Sequence, residues 1–164
     1  SDGNVGEQSR EFLQGWMDRY VAWVKTLAFA ISAAYAGGDN SIIARKACMK
    51  AQGAAVIGTY FPMQRGEMPY DSARIDSAFE NMTRACADWA EFWPEDSKTG
   101  AVMATGAKSD IWTDTVGFAK ATATAEAALA ALRAAKDQQS FNAALPAVGA
   151  ACQSCHETYR AKTE

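Results

Sequence analysis

The chain has 164 residues, 49% of them apolar, with 16 basic and 19 acidic side chains for a net charge of -3. That length suits one domain plus an appendage, with enough apolar material for a real core. The slightly acidic balance offers no basic face for nucleic acid, so no nucleic-acid partner is expected. Only four prolines in an alanine-rich chain favour helix throughout.

Residues 1–40 read as a unit of their own. From Tyr20 to Ala36 the sequence is YVAWVKTLAFAISAAYA, apolar almost all round with Lys25 inside. Ala34-Tyr35-Ala36 ahead of Gly37 fits the cleavage site of a secretory signal peptide. If retained, the stretch 17–36 is a membrane anchor at the short limit of a span, with Trp16, Tyr20 and Trp23 suited to an interface. The remaining alternative is an extra amphipathic helix packed on the rest of the protein or on another subunit. The anchor is the leading expectation.

Residues 41–164 form the second unit. Gly37-Gly38-Asp39-Asn40-Ser41 is a breaker followed by N-cap candidates. Four helix-length segments follow, near 41–60, 71–93, 110–135 and 141–161. They are separated by the proline- and glycine-bearing 61–71, the long polar 94–110 and the short 136–140. The second segment carries an apolar stripe of Ile75, Phe79, Met82, Cys86, Trp89 and Trp93 at alternating spacings of four and three. The fourth repeats it with Phe141, Leu145, Val148, Cys152, Cys155 and Tyr159. The third aligns Ile111, Phe118, Ala125, Leu129 and Leu132, interrupted by Thr115 and Thr122. The first aligns Ile42, Met49, Val56 and Tyr60. The pattern predicts an all-α protein, an antiparallel four-helix bundle. Pro146 predicts a kink in the last helix or a start as late as Leu145.

Near the C-terminus stands Cys152-Gln153-Ser154-Cys155-His156, the C-x-x-C-H signature of covalent haem c attachment. The two thiols can add to the porphyrin vinyl groups and the adjacent imidazole can bind iron. On a helix Cys152 and Cys155 share a face, and that face is the inner stripe, so one haem would be held within the bundle. His156 is the only histidine, which excludes a second histidine ligand from this chain. A redox dithiol would sit in a βαβ context, which is missing here. A zinc site drawing on Cys48 or Cys86 would have poor ligand spacing. Covalent haem implies export to the bacterial periplasm or an equivalent space, where disulfides are permitted. For Cys86, on an apolar stripe, a buried free thiol is the default; a bond to Cys48 is the alternative. No acid–base constellation supports an enzyme reading.

With the bundle and the motif in place, residues 41–164 resemble the cytochrome c-prime family. The resemblance rests on Val148-Gly149 through Cys152-Gln153-Ser154-Cys155-His156-Glu157-Thr158-Tyr159-Arg160. Arg45-Lys46-Ala47-Cys48-Met49-Lys50, Gly66-Glu67-Met68-Pro69-Tyr70-Asp71 and Asp110-Ile111-Trp112 support it in the same order. The resemblance implies two working modes. In one, the iron is five-coordinate and binds small gases such as nitric oxide or carbon monoxide. In the other, the low-spin cytochrome c-556 type, a first-helix methionine is the sixth ligand and the protein carries electrons. Met49 falls at that position, and Phe92-Trp93-Pro94-Glu95-Asp96-Ser97-Lys98 looks more like the low-spin branch.

The leading expectation is therefore single-electron transfer with His156 and Met49 as axial ligands. The alternatives are gas binding and a haem-bearing subunit of a membrane redox complex. Arg45, one turn before Met49, can reach a haem propionate or be a solvated surface arginine. Arg160 matches a family arginine on the proximal side. Trp89, Trp93, Trp112 and Phe118 are expected to pack the core and the haem. Redox partner proteins, membrane-bound ones included, and a homodimer through the first two helices complete the expectations, with the protein periplasmic and anchored at the inner membrane.

Overall fold

The computed structural model describes residues 14–23, 25 and 38–162. Residues 14–23 are helical, and their side chains Trp16, Met17, Tyr20, Val21 and Trp23 are exposed. Trp16 stacks on Tyr20 with ring centroids 5.6 Å apart. Most of the stretch 17–36, including the Ala34-Tyr35-Ala36 cleavage signal, lies outside the described residues. No described helix is long and apolar enough to cross a membrane, so the anchor expectation finds no support there.

The bundle consists of α1 (Asp39–Ala55), α2 (Ser72–Ala85), α3 (Thr115–Arg133) and α4 (Gln138–Tyr159). Among the described residues the only β-type pairing is an isolated bridge between Ala107 and Arg160. α1 packs chiefly on α2, and α3 on α4. The core joins Tyr60 and Met63 after α1, Ile75 of α2, Leu132 of α3 and Phe141, Leu145 and Val148 of α4. These come from the end of the first helix, the start of the second, the end of the third and the start of the fourth. That alternation is the mark of an antiparallel up-down-up-down bundle. The large apolar side chains fill one end of it, and the C-x-x-C-H motif sits at the other.

Local chemistry sets the helix ends. Asp71 caps α2 by accepting from the Ala73 and Arg74 backbone N–H groups. Asp137 and Ser140 form a reciprocal capping box at α4, which starts the helix at Gln138. The expected late start near Leu145 is thereby corrected. Pro146 is inside the helix on its exposed face, where the carbonyl it leaves unbonded can turn to water.

The first helix also runs further than expected. After Ala55 it opens into a π turn over Val56–Tyr60, closed by the Phe61 N–H to the Val56 carbonyl, and continues over Phe61–Gln64. Pro62 lacks an N–H and its ring would crowd the carbonyl four residues back in a straight α-helix. The π turn directly before it absorbs that mismatch. The helix stops at Gly66, whose φ of 74° is left-handed. There Glu67 N–H reaches the Pro62 carbonyl at 2.9 Å and Gly66 N–H the Met63 carbonyl at 3.3 Å, a Schellman closure that favours glycine.

Two other segments end sooner than their periodicity predicts. α2 stops at Ala85 rather than near Trp93, and the chain continues through a turn into a 3-10 helix over Trp89–Phe92. The third segment breaks at Asp114, between Asp110–Thr113 and α3, where the Asp114 carboxylate accepts from Gly117 N–H. Cys86, which closes α2, is bonded to Cys48. The free-thiol expectation for Cys86 is thus corrected: Cys48 faces inward from α1, and the two Cα atoms are 4.8 Å apart. The cross-link spans 38 residues, and in the chain-entropy model a loop of that size stabilises by about 4 kcal/mol.

Phe141 is fully buried and meets both Tyr60 and Tyr70 edge-on at 6.2 Å. Phe141→Ala should cost about 3–5 kcal/mol, read as a lower urea midpoint with haem attachment intact.

Candidate haem site

The bundle end without the large apolar core encloses a cavity of about 730 Å³, a size typical of cofactor sites, which run to roughly 300–1,000 Å³. It lies between the α1–α2 pair and the α3–α4 pair. On α3, beside Phe118 and Leu129, the wall includes the small residues Ala121, Thr122, Ala125 and Ala130. Leucines at those positions would close the space by ordinary bundle packing. The stripe reading places Ala125 and Thr122 on this face; Ala121 and Ala130 are cavity residues of α3 that it misses.

α4 brings Cys152, Cys155 and His156 to one wall of this cavity. The two cysteines are free and half-buried. Burial raises both thiol pKa values, and for Cys155 the neighbouring Cys152 adds to the rise. A reactive redox dithiol needs the opposite shift. Burial first, and the charge of Arg160 second, lower the pKa of the His156 imidazole. It is kept neutral, the form that binds iron. Among the described residues no group of three or more His, Cys, Asp or Glu side chains converges as a metal site. With Cys48 and Cys86 tied to each other, the zinc alternative loses its fourth ligand.

The end of α4 is clamped from outside. Lys108 N–H donates to the Tyr159 carbonyl at 3.0 Å, and Ala161 N–H to the Gly106 carbonyl at 2.8 Å. The Tyr159 hydroxyl donates to Asp114 Oδ2 at 2.8 Å, and its ring meets Phe118 edge-on at 5.2 Å. That bond holds the Asp114 carboxyl below its usual range, with Gly117 N–H assisting. The Tyr159 phenol is pushed up to about 12, by burial first and by Asp114 second. Arg160 extends past the helix end, exposed, with its side chain at the cavity rim.

Met49 is half-buried on α1 and lines the same cavity. Met82 also borders it, but packs in the apolar core. Arg45 is not a solvated surface arginine: it is 4% exposed. Its Nη1 donates to the Phe92 carbonyl at 3.2 Å and Ser97 Oγ at 2.9 Å, and its Nη2 to the Ser97 carbonyl at 2.8 Å and Thr105 Oγ1 at 2.7 Å. The guanidinium lies 4.9 Å from the Trp93 ring and 5.8 Å from the Trp112 ring. Among the described residues no carboxylate pairs with it, and burial lowers its pKa. Asp39, also buried, accepts from Val102 N–H at 3.1 Å and Met103 N–H at 3.0 Å. An added Cβ at Gly100 would strike Asp39 and the Met103 carbonyl. The polar loop after α2 is thus pinned onto the start of α1.

The tryptophans and Phe118 form one wall, with Trp93 4.9 Å from both Trp89 and Phe118. Trp89 Nε1 donates to Thr122 Oγ1, and Trp112 Nε1 to the Trp93 carbonyl. Trp93 Nε1 is buried without a partner. An uncompensated buried cation beside an orphaned N–H is a ready receptor for a carboxylate. A haem fits this donor set: thiols for its vinyl groups, a neutral imidazole for its iron, a thioether across the cavity, and buried donors for a propionate.

Fold and site together define a four-helix-bundle haem c protein. The chain belongs to the cytochrome c' family, whose model matches residues 40–160; the family carries covalently attached haem c. The chain is 35% identical to cytochrome c' from Cereibacter sphaeroides over 142 residues, covering 84% of this chain and 95% of that one. It is 32% identical to cytochrome c-556 from Agrobacterium tumefaciens over 122 residues, covering 72% and 94%. Among solved structures it resembles cytochrome c' from Rhodopseudomonas palustris, with a TM-score of 0.66 at 31% identity, covering 76% and 98%. It also resembles the nitric oxide complex of a variant cytochrome c' from Alcaligenes xylosoxidans, with a TM-score of 0.64 at 28% identity, covering 77% and 98%.

Burial pushes the Tyr60 phenol, like that of Tyr159, up from 10.0 to about 12. A raised pKa means that the folded state holds the proton more tightly, so stability is full below pH 10 and falls as pH rises towards 12. Thermal melts at pH 9 and pH 11 should show that loss, and Tyr159→Phe should make it smaller.

Proposed function

We propose that this protein is a periplasmic single-electron carrier whose haem c is bound through Cys152 and Cys155, with His156 and Met49 as axial ligands. Bound haem supplies the redox couple. The chain supplies a dry, pre-formed cavity, a neutral imidazole and a soft thioether, which favours the reduced iron. The observation that carries the reading is Met49 itself. It lines the cavity from the helix pair facing His156 and is not part of the apolar core. The Cys48–Cys86 disulfide suits an oxidising compartment. Arg45 and Trp93 are assigned to a propionate, and Arg160 to tuning charge on the His156 side. Redox partner proteins would meet the haem at the cavity mouth. Outward Ile43, Ile57 and Phe61 on the first helix suit pairing with a second copy.

The second reading is a five-coordinate gas-binding protein. It is favoured by the apolar cavity wall of Phe79, Met82, Trp89 and Leu129 and by the likeness to a nitric oxide complex. The third, a subunit of a membrane redox complex, draws on the exposed Trp16, Tyr20 and Trp23.

Oxidised and reduced visible spectra, followed by carbon monoxide, separate the first two. Met49 ligation gives a low-spin spectrum and little response to the gas. An internal ligand present about 99% of the time weakens an incoming one about 100-fold. Met49→Ala should remove that protection and give a high-spin iron. A high-spin parent that binds carbon monoxide readily would sink the electron-carrier reading.

A further inference from the structure

We infer that the Cys48–Cys86 disulfide is a positioning device for Met49, holding α1 at the distance from the haem at which its thioether stays on the iron. The inference rests on the ligation of Met49 proposed above. Cys48 is the residue immediately before Met49 and is fully buried. Cys86 closes α2 and lines the haem cavity. Gln52, one turn beyond Cys48 and itself on the cavity wall, directs Nε2 to both sulfurs, at 3.4 Å from Cys48 Sγ and 3.6 Å from Cys86 Sγ. The cross-link is thus part of the cavity wall.

Its place along the helices matters. At the far end of the bundle, Tyr60, Met63, Ile75 and Phe141 set the separation of the helices by direct packing. At the cavity end the two helix pairs stand apart around the space for the haem, and the segment after α2 bridges them where Trp89 and Trp93 meet Phe118. Past Cys86 the α-helix has already ended, and α1 meets only the short 3-10 turns Trp89–Phe92 and Glu95–Ser97 there. Arg45 ties α1 to the loop after α2 one turn earlier, through Phe92, Ser97 and Thr105. The disulfide supplies the tie at the level of Met49. Without it, α1 can move outward by the small distance that breaks an iron–thioether bond, with the fold kept by the core.

The test uses haem-loaded protein in two forms. One is the double variant Cys48→Ala, Cys86→Ala. The other is the parent with its disulfide reduced and alkylated, the reductant removed and the haem re-oxidised. Circular dichroism checks helix content in both. The expected result is a high-spin fraction that the parent lacks, and carbon monoxide binding to the ferrous form about tenfold faster or more. Adding Met49→Ala to the double variant should change neither much further. If both forms keep the parent's spectrum and rate while Met49→Ala alone converts the parent, the disulfide is only a staple and the inference is overturned. If Met49→Ala leaves the parent unchanged, the ligation reading fails and the inference falls with it. Loss of helix in both forms also overturns it, since the bond would then serve the whole fold.

Discussion

A bundle that gives half of its interior to a cofactor has to hold four helices apart where no side chains fill the gap. Everything distinctive in this structure answers that constraint. The main apolar core cluster gathers at one end, around Tyr60, Phe141 and Leu145, and fixes the helix spacing there. At the other end α3 presents alanine and threonine, and the helices are held from the outside. Arg45 grips the loop after α2, Asp39 grips the next part of it, the disulfide joins α1 to α2, and the Ala107–Arg160 bridge closes on α4. None of these contacts fills the cavity; each fixes a wall of it.

Arg45 shows how the same constraint raises the stakes of polar burial. A buried charge without a counter-ion is costly. Here it is met by carbonyls, hydroxyls and two indole faces, with no acid among the described residues. That solution leaves net positive charge beside the cavity, where a haem propionate can add its negative charge. With a propionate in the place proposed for it, the wall would be more complete, and haem binding and wall stability would reinforce each other.

The motif at residues 152–156, the stripes of α2 and α4 and the bundle itself were legible in the sequence because each is a local pattern. What was not legible depends on distance. Arg45 bonds to residues 47 to 60 positions away, and nothing in its neighbourhood announces burial. The spacing of Cys86, Trp89 and Trp93 continues a helical stripe, yet the helix ends at Ala85 because Cys86 is committed to Cys48 and the tryptophans turn to the cavity. Pro62 read as a breaker, while a π turn carried the helix through it. Pro146 read as a late start, while the capping box of Asp137 and Ser140 sets an earlier one. Met49 was singled out only through the family resemblance, since an isolated methionine on a stripe has no signature of its own.

The two sides of the haem site differ in how firmly the fold determines them. On the His156 side, the proposed ligand and both proposed attachment points lie within one turn of one helix, so their relation is set by helix geometry. The end of that helix is fixed by Tyr159 on Asp114 and by the loop at Gly106 and Lys108. On the other side, Met49 comes from a different helix pair, and its distance from the iron depends on how the pairs stand apart. With the ligation proposed for Met49, a small change there would decide between a six-coordinate electron carrier and an iron open to gases. One helix carries the whole of the proposed proximal half, so in the proposed reading variation in function enters through whatever sets the position of α1.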